Sequence, residues 1–172
     1  IKLKNLDGSQ KNLRKILIIF TKMKKIIVII PTYNEKENIF RLTKKILKII
    51  PNSIIFVIDD TKKSNLNKYF KDKKIKYFLR KNKKGRGSAV LFGLKKSLKN
   101  KSSQVFVEMD ADFSHNPNEL REKIKFFKDK NLDLLIGSRY LKKSKIINWS
   151  VSRLIFSKLS NFLAKILLKV GV

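Results

Sequence analysis

A chain of 172 residues with 42% hydrophobic content is long enough for one domain with a proper core and too apolar for disorder throughout. It contains no cysteine, which excludes disulfides and thiolate metal sites and fits a reducing compartment. The formal net charge of +29 calls for an anionic partner: nucleic acid, a phosphorylated substrate or an acidic membrane surface. Most of the basic residues are Lys rather than Arg, and Ile, Asn and Phe are plentiful too. That pattern equally fits the codon drift of an A+T-rich genome, with much of the charge a solvated surface. Dedicated nucleic-acid binding relies on arranged Arg and aromatic residues instead.

No apolar run has the length of a membrane span. Residues 16–20 are too short for a signal-peptide core, and no small-residue cleavage site follows. The expected location is cytoplasmic, with a peripheral position on a membrane surface still open. Residues 1–22 read as a basic extension without a motif. Met23 directly precedes a strand and is read as the natural start of a domain over 23–172.

Ile26-Ile27-Val28-Ile29-Ile30 is a continuous β-branched run, the pattern of a strand buried on both faces. It ends at Pro31-Thr32-Tyr33-Asn34-Glu35. A helix is expected over 36–50, with Ile39, Leu42, Ile46, Ile49 and Ile50 on one stripe. Pro51-Asn52 breaks it, and residues 54–58 form a second buried strand closed by Asp59-Asp60. A weak helix over 64–70, a short strand over 75–79, a basic glycine-containing loop and a helix over 88–98 follow. Residues 105–109 and 132–136 supply a fourth and a fifth strand, with a helix from 117 to about 128 between them. Alternation of this kind predicts an α/β domain with a mostly parallel sheet, whose ligands bind along the C-terminal edge of the strands. The polar clusters 32–35, 59–60, 110–114 and 138–140 all follow strand ends. Residues 146–172 are amphipathic, either a helix packed on the domain or one resting on lipid.

The chain turns on Met109-Asp110-Ala111-Asp112-Phe113-Ser114-His115-Asn116-Pro117. If the strand continues through it, Asp110 and Asp112 point to one side and can share a hard divalent cation that also holds phosphates. Asp-X-Asp also arises by chance in loops and helix starts, so the motif alone leaves both readings open. Gly85-Arg86-Gly87 is either a set of free backbone amides at a helix start near phosphates or a tight turn. His115, the only histidine, is read as fixing the loop after Asp112 rather than as catalytic.

Taken together, Pro31-Thr32-Tyr33-Asn34-Glu35-Lys36-Glu37-Asn38, Asp59-Asp60, Lys84-Gly85-Arg86-Gly87-Ser88-Ala89, the Asp110–Pro117 stretch, Gly137-Ser138-Arg139-Tyr140 and Asn148-Trp149 with Arg153 resemble the family 2 glycosyltransferases. Within them the set is most similar to the dolichol-phosphate (polyprenol-phosphate) mannosyltransferases. The resemblance implies a GT-A (Rossmann-like) nucleotide-sugar-binding fold and a Mg2+ or Mn2+ ion. The implied donor is GDP-mannose, with a UDP-sugar as the alternative. The implied acceptor is a polyprenyl phosphate at the cytoplasmic face of a membrane, and no nucleic acid is expected. By the same resemblance Pro31, Tyr33 and Glu35 line the nucleotide pocket, and Ile58 and Asp60 close on base and ribose. Asp110 and Ala111 touch the donor, and Asp112 ligates the metal with Ser114. Arg139, Arg153 and Ser157 hold the acceptor phosphate, with Arg139 also reaching the donor. Asp110, Asp112, Arg139 and Arg153 are then the catalytic set.

The chain departs from the family pattern at three places. Asp59-Asp60 runs into Thr61-Lys62-Lys63-Ser64, losing a later Asp, and Lys142-Lys143-Ser144-Lys145 replaces a glycine pair. The family's later basic and membrane-associated segment has no counterpart before Val172, so the sequence reads as shortened at its C-terminus.

A lipid phosphate is largely ionised at neutral pH, its second pKa being roughly 6, so it can attack an anomeric carbon without a protein base. Direct displacement implies inversion. A hydroxyl acceptor, as in a polysaccharide, needs a general base, and no clear extra carboxylate follows Asp112. A basic nucleic-acid-binding protein is the reading from another class.

Overall fold

The computed structural model describes residues 25–81, 85–98, 103–138 and 150–168. The basic extension, Met23, Arg139, Tyr140, Asn148 and Trp149 lie outside the described residues. The chain forms two compact units, residues 1–129 and 130–172, and each is described by itself.

In the first unit, β1 (Lys25–Thr32), α1 (Lys36–Ile49), β2 (Ser53–Asp59) and β3 (Ile75–Leu79) are followed by α2 (Arg86–Leu98), β4 (Ser103–Glu108) and α3 (Leu120–Asp129). A short 3-10 turn, Leu66–Tyr69, links β2 to β3, and another, Pro117–Glu119, opens α3. The four strands are all parallel in the order β3-β2-β1-β4. The domain is therefore α/β with a Rossmann-like parallel sheet, as the alternation of elements predicts.

Period-two alternation divides the β1 run between two cores. Ile26, Val28 and Ile30 pack with Ile39, Leu42 and Ile46 of α1 and with Leu120 and Ile124 of α3. Ile27 and Ile29 pack on the opposite face with Phe56, Ile58 and Ala89. Each of these fully buried Ile side chains is worth about 1.5–3 kcal/mol relative to exposure. A Cβ at Gly93 would stand 2.6 Å from Ile29 Cγ2, so only glycine lets α2 lie this close to β1.

The chain runs β1, β2, β3 in one direction across the sheet and then jumps back to place β4 beside β1. The strand order reverses between β1 and β4, a topological switch point of the kind at whose strand C-termini open α/β sheets bind ligands; α1 and α3 cover one face there and α2 the other. The β1–β4 ladder stops at Ile29↔Glu108, with one further bond from Met109 N–H to Ile29 O at 3.1 Å. Two residues on, Pro31 faces the same way and has no N–H to offer. The missing donor falls where β4 has already peeled away.

Two expectations are corrected. Residues 132–136 are not a fifth strand: they pair with no ladder among the described residues, and Leu134 and Ile136 are 72% and 68% exposed. An apolar run this short supplies hydrophobicity but not a neighbouring backbone to bond, and only the latter makes a strand. The fourth strand ends at Glu108, one residue earlier than expected, and Ala111-Asp112 form a turn.

The second unit contains α4 (Val151–Leu168). Ser150 caps it, its Oγ accepting the Arg153 N–H at 3.3 Å. Val151, Ile155, Phe156, Leu159, Phe162, Leu163, Ile166 and Leu167 are all exposed. At 3.6 residues per turn they cover one continuous side of the helix. The half-buried Leu154, Ser157 and Ala164 fall on the other side. No helix among the described residues is long and apolar enough to cross a membrane.

Candidate active site

Three strand exits build the site. At the end of β1, Pro31 is buried, Thr32 is nearly so, and Tyr33 is 46% exposed. Asn34 takes a left-handed backbone conformation, φ 58°, and its N–H donates to Thr61 Oγ1 at 2.8 Å, tying the β1 exit to the β2 exit. Glu35 stands at the start of α1, and Asn38 Nδ2 donates to its Oε2 at 2.7 Å. Between the two exits lies a depression of about 290 Å³ lined by Asn34, Glu35, Thr61, Ser64, Asn65 and Leu66 among others. Thr32 Oγ1 is buried and has no hydrogen-bond partner among the described residues. A buried hydroxyl of this kind normally has a water or ligand atom to bond.

At the end of β2, Ile58 and Asp59 are fully buried and Asp60 is 6% exposed. Asp59 accepts the Thr61 N–H and the Tyr77 hydroxyl, both at 2.8 Å. Burial, above all, pushes the Tyr77 phenol up to about 12; the Asp59 charge adds to this and a hydrogen bond with Ser64 opposes it. Asp60 is gripped on both oxygens by the Arg80 guanidinium, a fork buried to nearly the same degree. Arg80 also donates to Ser88 Oγ at 3.0 Å and to Gly85 O at 3.1 Å, at the start of α2. The carboxylate expected to close on base and ribose is thus committed to an arginine that ties β2, β3 and α2 together.

Beyond β4, the strand stops before the two acids, so simple alternation does not bring Asp110 and Asp112 to one side. The acids brought together are instead Glu108, the last residue of β4, and Asp110, through a shared partner. Arg86, the first residue of α2, bridges them, with Nε 2.7 Å from Asp110 Oδ1 and an Nη on Glu108. The Asp110 bond is the largest influence holding the Arg86 guanidinium above its ordinary pKa. The Asp110 N–H donates to His115 Nδ1 at 3.2 Å, so His115 fixes the loop, as expected. Ala111 is buried, and Phe113, at φ 63°, tucks its ring against the α1-side core with the Arg41 guanidinium 5.7 Å above it. Asp112 lies exposed on this anchored turn, its Oδ1 accepting the Ser114 N–H at 2.9 Å. Burial tends to raise its pKa and is the largest single influence. Hydrogen bonds from the Ser114 backbone and side chain and its own backbone, with the nearby His115, together outweigh it and hold the carboxyl below the usual range. Asn116 caps the following helix, accepting the Asn118 N–H at 3.1 Å.

No group of three or more His, Cys, Asp or Glu among the described residues is arranged to hold a metal by itself. The donor chemistry still fits Mg2+ or Mn2+. Such ions are commonly held by one or two carboxylates, with substrate phosphates completing the set, and Asp112 offers an ionised, accessible one. In the second unit, Ser138 is half-buried, and Arg153 and Ser157 are four residues apart on α4, hence on neighbouring turns of one side.

Arg80 and Tyr77 were not among the residues singled out by the sequence, and Arg86 was noted only within Gly85-Arg86-Gly87, with no role for its side chain, although all three hold the acids of the site. For the two arginines the available signal was position: an arginine at an element boundary in a chain where lysine prevails.

The parallel sheet, its switch point and the acid-bearing turn past β4 define a GT-A type of nucleotide-sugar fold. Likeness to solved structures agrees. A crystal structure of S. aureus TarS superposes with a TM-score of 0.54 at 20% identity, covering 73% of this chain and 39% of that one. A second, in complex with UDP-GlcNAc, gives 0.51 at 22% identity, covering 71% and 36%. The sequence carries the assignment further. The model of glycosyl transferase family 2 matches residues 27–171, and the chain belongs to that family. It is 36% identical over 152 residues to a polyprenol monophosphomannose synthase of Mycolicibacterium smegmatis, covering 85% of this chain and 57% of the relative. It is 38% identical over 140 residues to a dolichol-phosphate mannosyltransferase of Pyrococcus furiosus, covering 78% and 38%. It is 31% identical over 153 residues to an undecaprenyl-phosphate mannosyltransferase of Micrococcus luteus, covering 86% and 62%. The chain thus spans between 38% and 62% of the length of these curated relatives.

Proposed function

We propose that this chain carries the catalytic domain of a metal-dependent, inverting glycosyltransferase that moves a sugar, mannose by preference, from a nucleotide-sugar to a polyprenyl phosphate. The observation that carries this reading is the anchored turn at the switch point. Asp112 is held below the usual carboxylate range there, accepting the Ser114 N–H on a loop pinned by Phe113 and His115. The names of three relatives, each acting on a polyprenol, dolichol or undecaprenyl phosphate, select the acceptor class. Mannose follows from the same names, and GDP-mannose is the donor the family resemblance implies; the UDP-GlcNAc bound by a fold neighbour keeps a UDP-sugar as the second reading.

Asp112, with Ser114, would hold a divalent ion, and that ion would supply charge neutralisation for a departing diphosphate. The chain's own residues do the rest. Pro31, Tyr33 and Glu35 shape the nucleotide side of the crevice, over a floor made rigid by Ile58 and the Asp60–Arg80 fork. Asp110 and Ala111 border the sugar. Arg153 and Ser157, with Arg139, hold the lipid phosphate and offset its repulsion from the donor. An oxygen of that phosphate forms a bond to the anomeric carbon as the bond to the diphosphate breaks. The electron pair leaves with the nucleoside diphosphate, no proton has to be removed, and the sugar carbon inverts. The exposed apolar side of α4, with Lys158 and Lys165 at its margin, suits a helix lying in the headgroup layer on the cytoplasmic side, where the lipid substrate is found.

The test incubates the full-length protein with polyprenyl phosphate in vesicles, Mg2+, and GDP-mannose or a panel of UDP-sugars. Transfer that depends on metal and disappears in Asp112→Ala supports the reading. No transfer with any donor, or undiminished metal-dependent turnover in Asp112→Ala, rejects it. Tight, salt-sensitive duplex binding without nucleoside diphosphate binding would favour a nucleic-acid partner instead.

A further inference from the structure

The pairing of Arg86 with Glu108 and Asp110 differs in kind from that of Arg80 with Asp60. The Arg80 fork is buried on both sides, with 8% and 6% of the side chains exposed. Breaking it strands a buried charge, so it is a fixed part of the frame. Arg86 is 55% exposed, and its partners Glu108 and Asp110 are 37% and 30% exposed. Ion pairs this open are weak and readily exchanged. They also lie at the acid-bearing end of β4, with Asp110 only two residues before Asp112. Gly85 and Gly87 flank the arginine, and a Cβ at either would meet nothing within 4 Å, so the start of α2 is open around it.

We propose that Arg86 is a resident counter-cation for this acidic strand end and exchanges partners when donor binds. In the chain alone it neutralises Asp110 and Glu108. When a nucleoside diphosphate arrives, its phosphates compete for the same guanidinium, whose planar fork suits phosphate oxygens as well as carboxylates. Arg86 then leaves Asp110, which becomes available to the cation and the sugar, and takes up part of the diphosphate charge. Metal and nucleotide binding are thereby coupled: Arg86 opposes the ion in the absence of nucleotide and favours the pair together. This rests on the reading of Asp112 as a cation ligand.

The test measures Mn2+ binding to the full-length protein by electron paramagnetic resonance, without nucleotide, and Mg2+-dependent GDP and UDP binding by calorimetry. In Arg86→Gln, Mn2+ alone should bind roughly fivefold more tightly and the nucleoside diphosphate roughly fivefold more weakly. Glu108→Gln, which loosens Arg86 without removing it, should tighten nucleotide binding; this variant also serves if Arg86→Gln folds poorly. An Arg86→Gln protein that binds Mn2+ no more tightly than the parent, or nucleotide equally well, overturns the proposal. So does a Glu108→Gln protein with unchanged nucleotide affinity. Asp112→Ala separates the two levels. If it keeps full Mn2+-dependent nucleotide binding, the cation reading itself fails and the exchange falls with it. If it loses that binding while Arg86→Gln behaves as the parent, only the exchange fails.

Discussion

The Arg80 guanidinium binds both carboxylate oxygens of Asp60, and each side chain is more than nine-tenths buried. The pair joins the end of β2 to the start of α2, because Arg80 also reaches Ser88 and Gly85. Removing one partner leaves the other charge buried and unpaired, which costs about 3–5 kcal/mol. Asp60→Ala and Arg80→Ala should each lower unfolding stability by about that much in denaturant titrations. The double variant should lose clearly less than the sum, since neither charge is then stranded. Additive losses would show that the fork is incidental to stability.

Tyr77 gives a pH signature of the same frame. Its folded pKa is raised to about 12 from the ordinary 10.0, chiefly by burial, so the native state keeps the phenol protonated where the unfolded chain ionises. The associated stability is present below the unfolded pKa and is lost as pH rises from about 10 through about 12. Lysines titrate in the same range, so the informative quantity is the difference from Tyr77→Phe. That variant should show a shallower fall in melting temperature over this window. It should also lack the late-titrating tyrosinate absorbance, and identical curves would contradict the part-buried Tyr77–Asp59 bond.

Asp112 is shifted the other way. Burial works against ionisation, but the Ser114 backbone and hydroxyl, the residue's own N–H and His115 prevail, and the carboxyl stays ionised below the usual range. A depressed carboxylate contributes stability above its unfolded pKa and loses it as pH falls through the folded one. Ser114→Ala removes the hydroxyl contribution while keeping the backbone bond. The Asp112 titration, followed by carbon NMR of the carboxyl group, should move upward toward the ordinary aspartate range. An unmoved titration would show that the serine hydroxyl has no hold on the charge.

Most of the frame was legible in the sequence because it is written in short-range patterns. The β1 run of β-branched residues, the stripe of Ile39, Leu42 and Ile46, and the breaks at Pro51 and Pro117 each follow from local chemistry, and the structure agrees with them. The acid turn was legible as a motif but not as a shape. The strand ends at Glu108 because Met109 N–H makes the last bond to Ile29, and nothing in the local pattern says where a neighbour peels away. The same gap explains 132–136, whose apolar run promised a strand and found no partner among the described residues. The pairing of Arg80 and of Arg86 with acids escaped notice for a related reason. Their partners lie 20 to 24 residues away, and pairings over that distance depend on how the sheet is assembled.

The exposed side of α4 makes a prediction about surfaces rather than sites. A stable helix in water buries its apolar stripe, yet here Ile155, Leu159, Phe162 and Ile166, spaced by three or four residues, are each about half exposed or more. The half-buried positions, Leu154, Ser157 and Ala164, lie on the other side. Anionic vesicles offer the apolar stripe a place to go, and Lys158 and Lys165 at its edge can extend to the headgroups. Full burial of a large apolar side chain is worth about 1.5–3 kcal/mol, so Leu159→Ser and Phe162→Ser should each weaken vesicle partitioning roughly tenfold or more. A lysine near an anionic surface contributes about 1 kcal/mol, so Lys158→Gln should weaken it roughly fivefold, and only at low salt. Sedimentation with vesicles of stated phosphatidylserine content measures both. Serine variants that partition like the parent would show that the stripe faces something other than lipid.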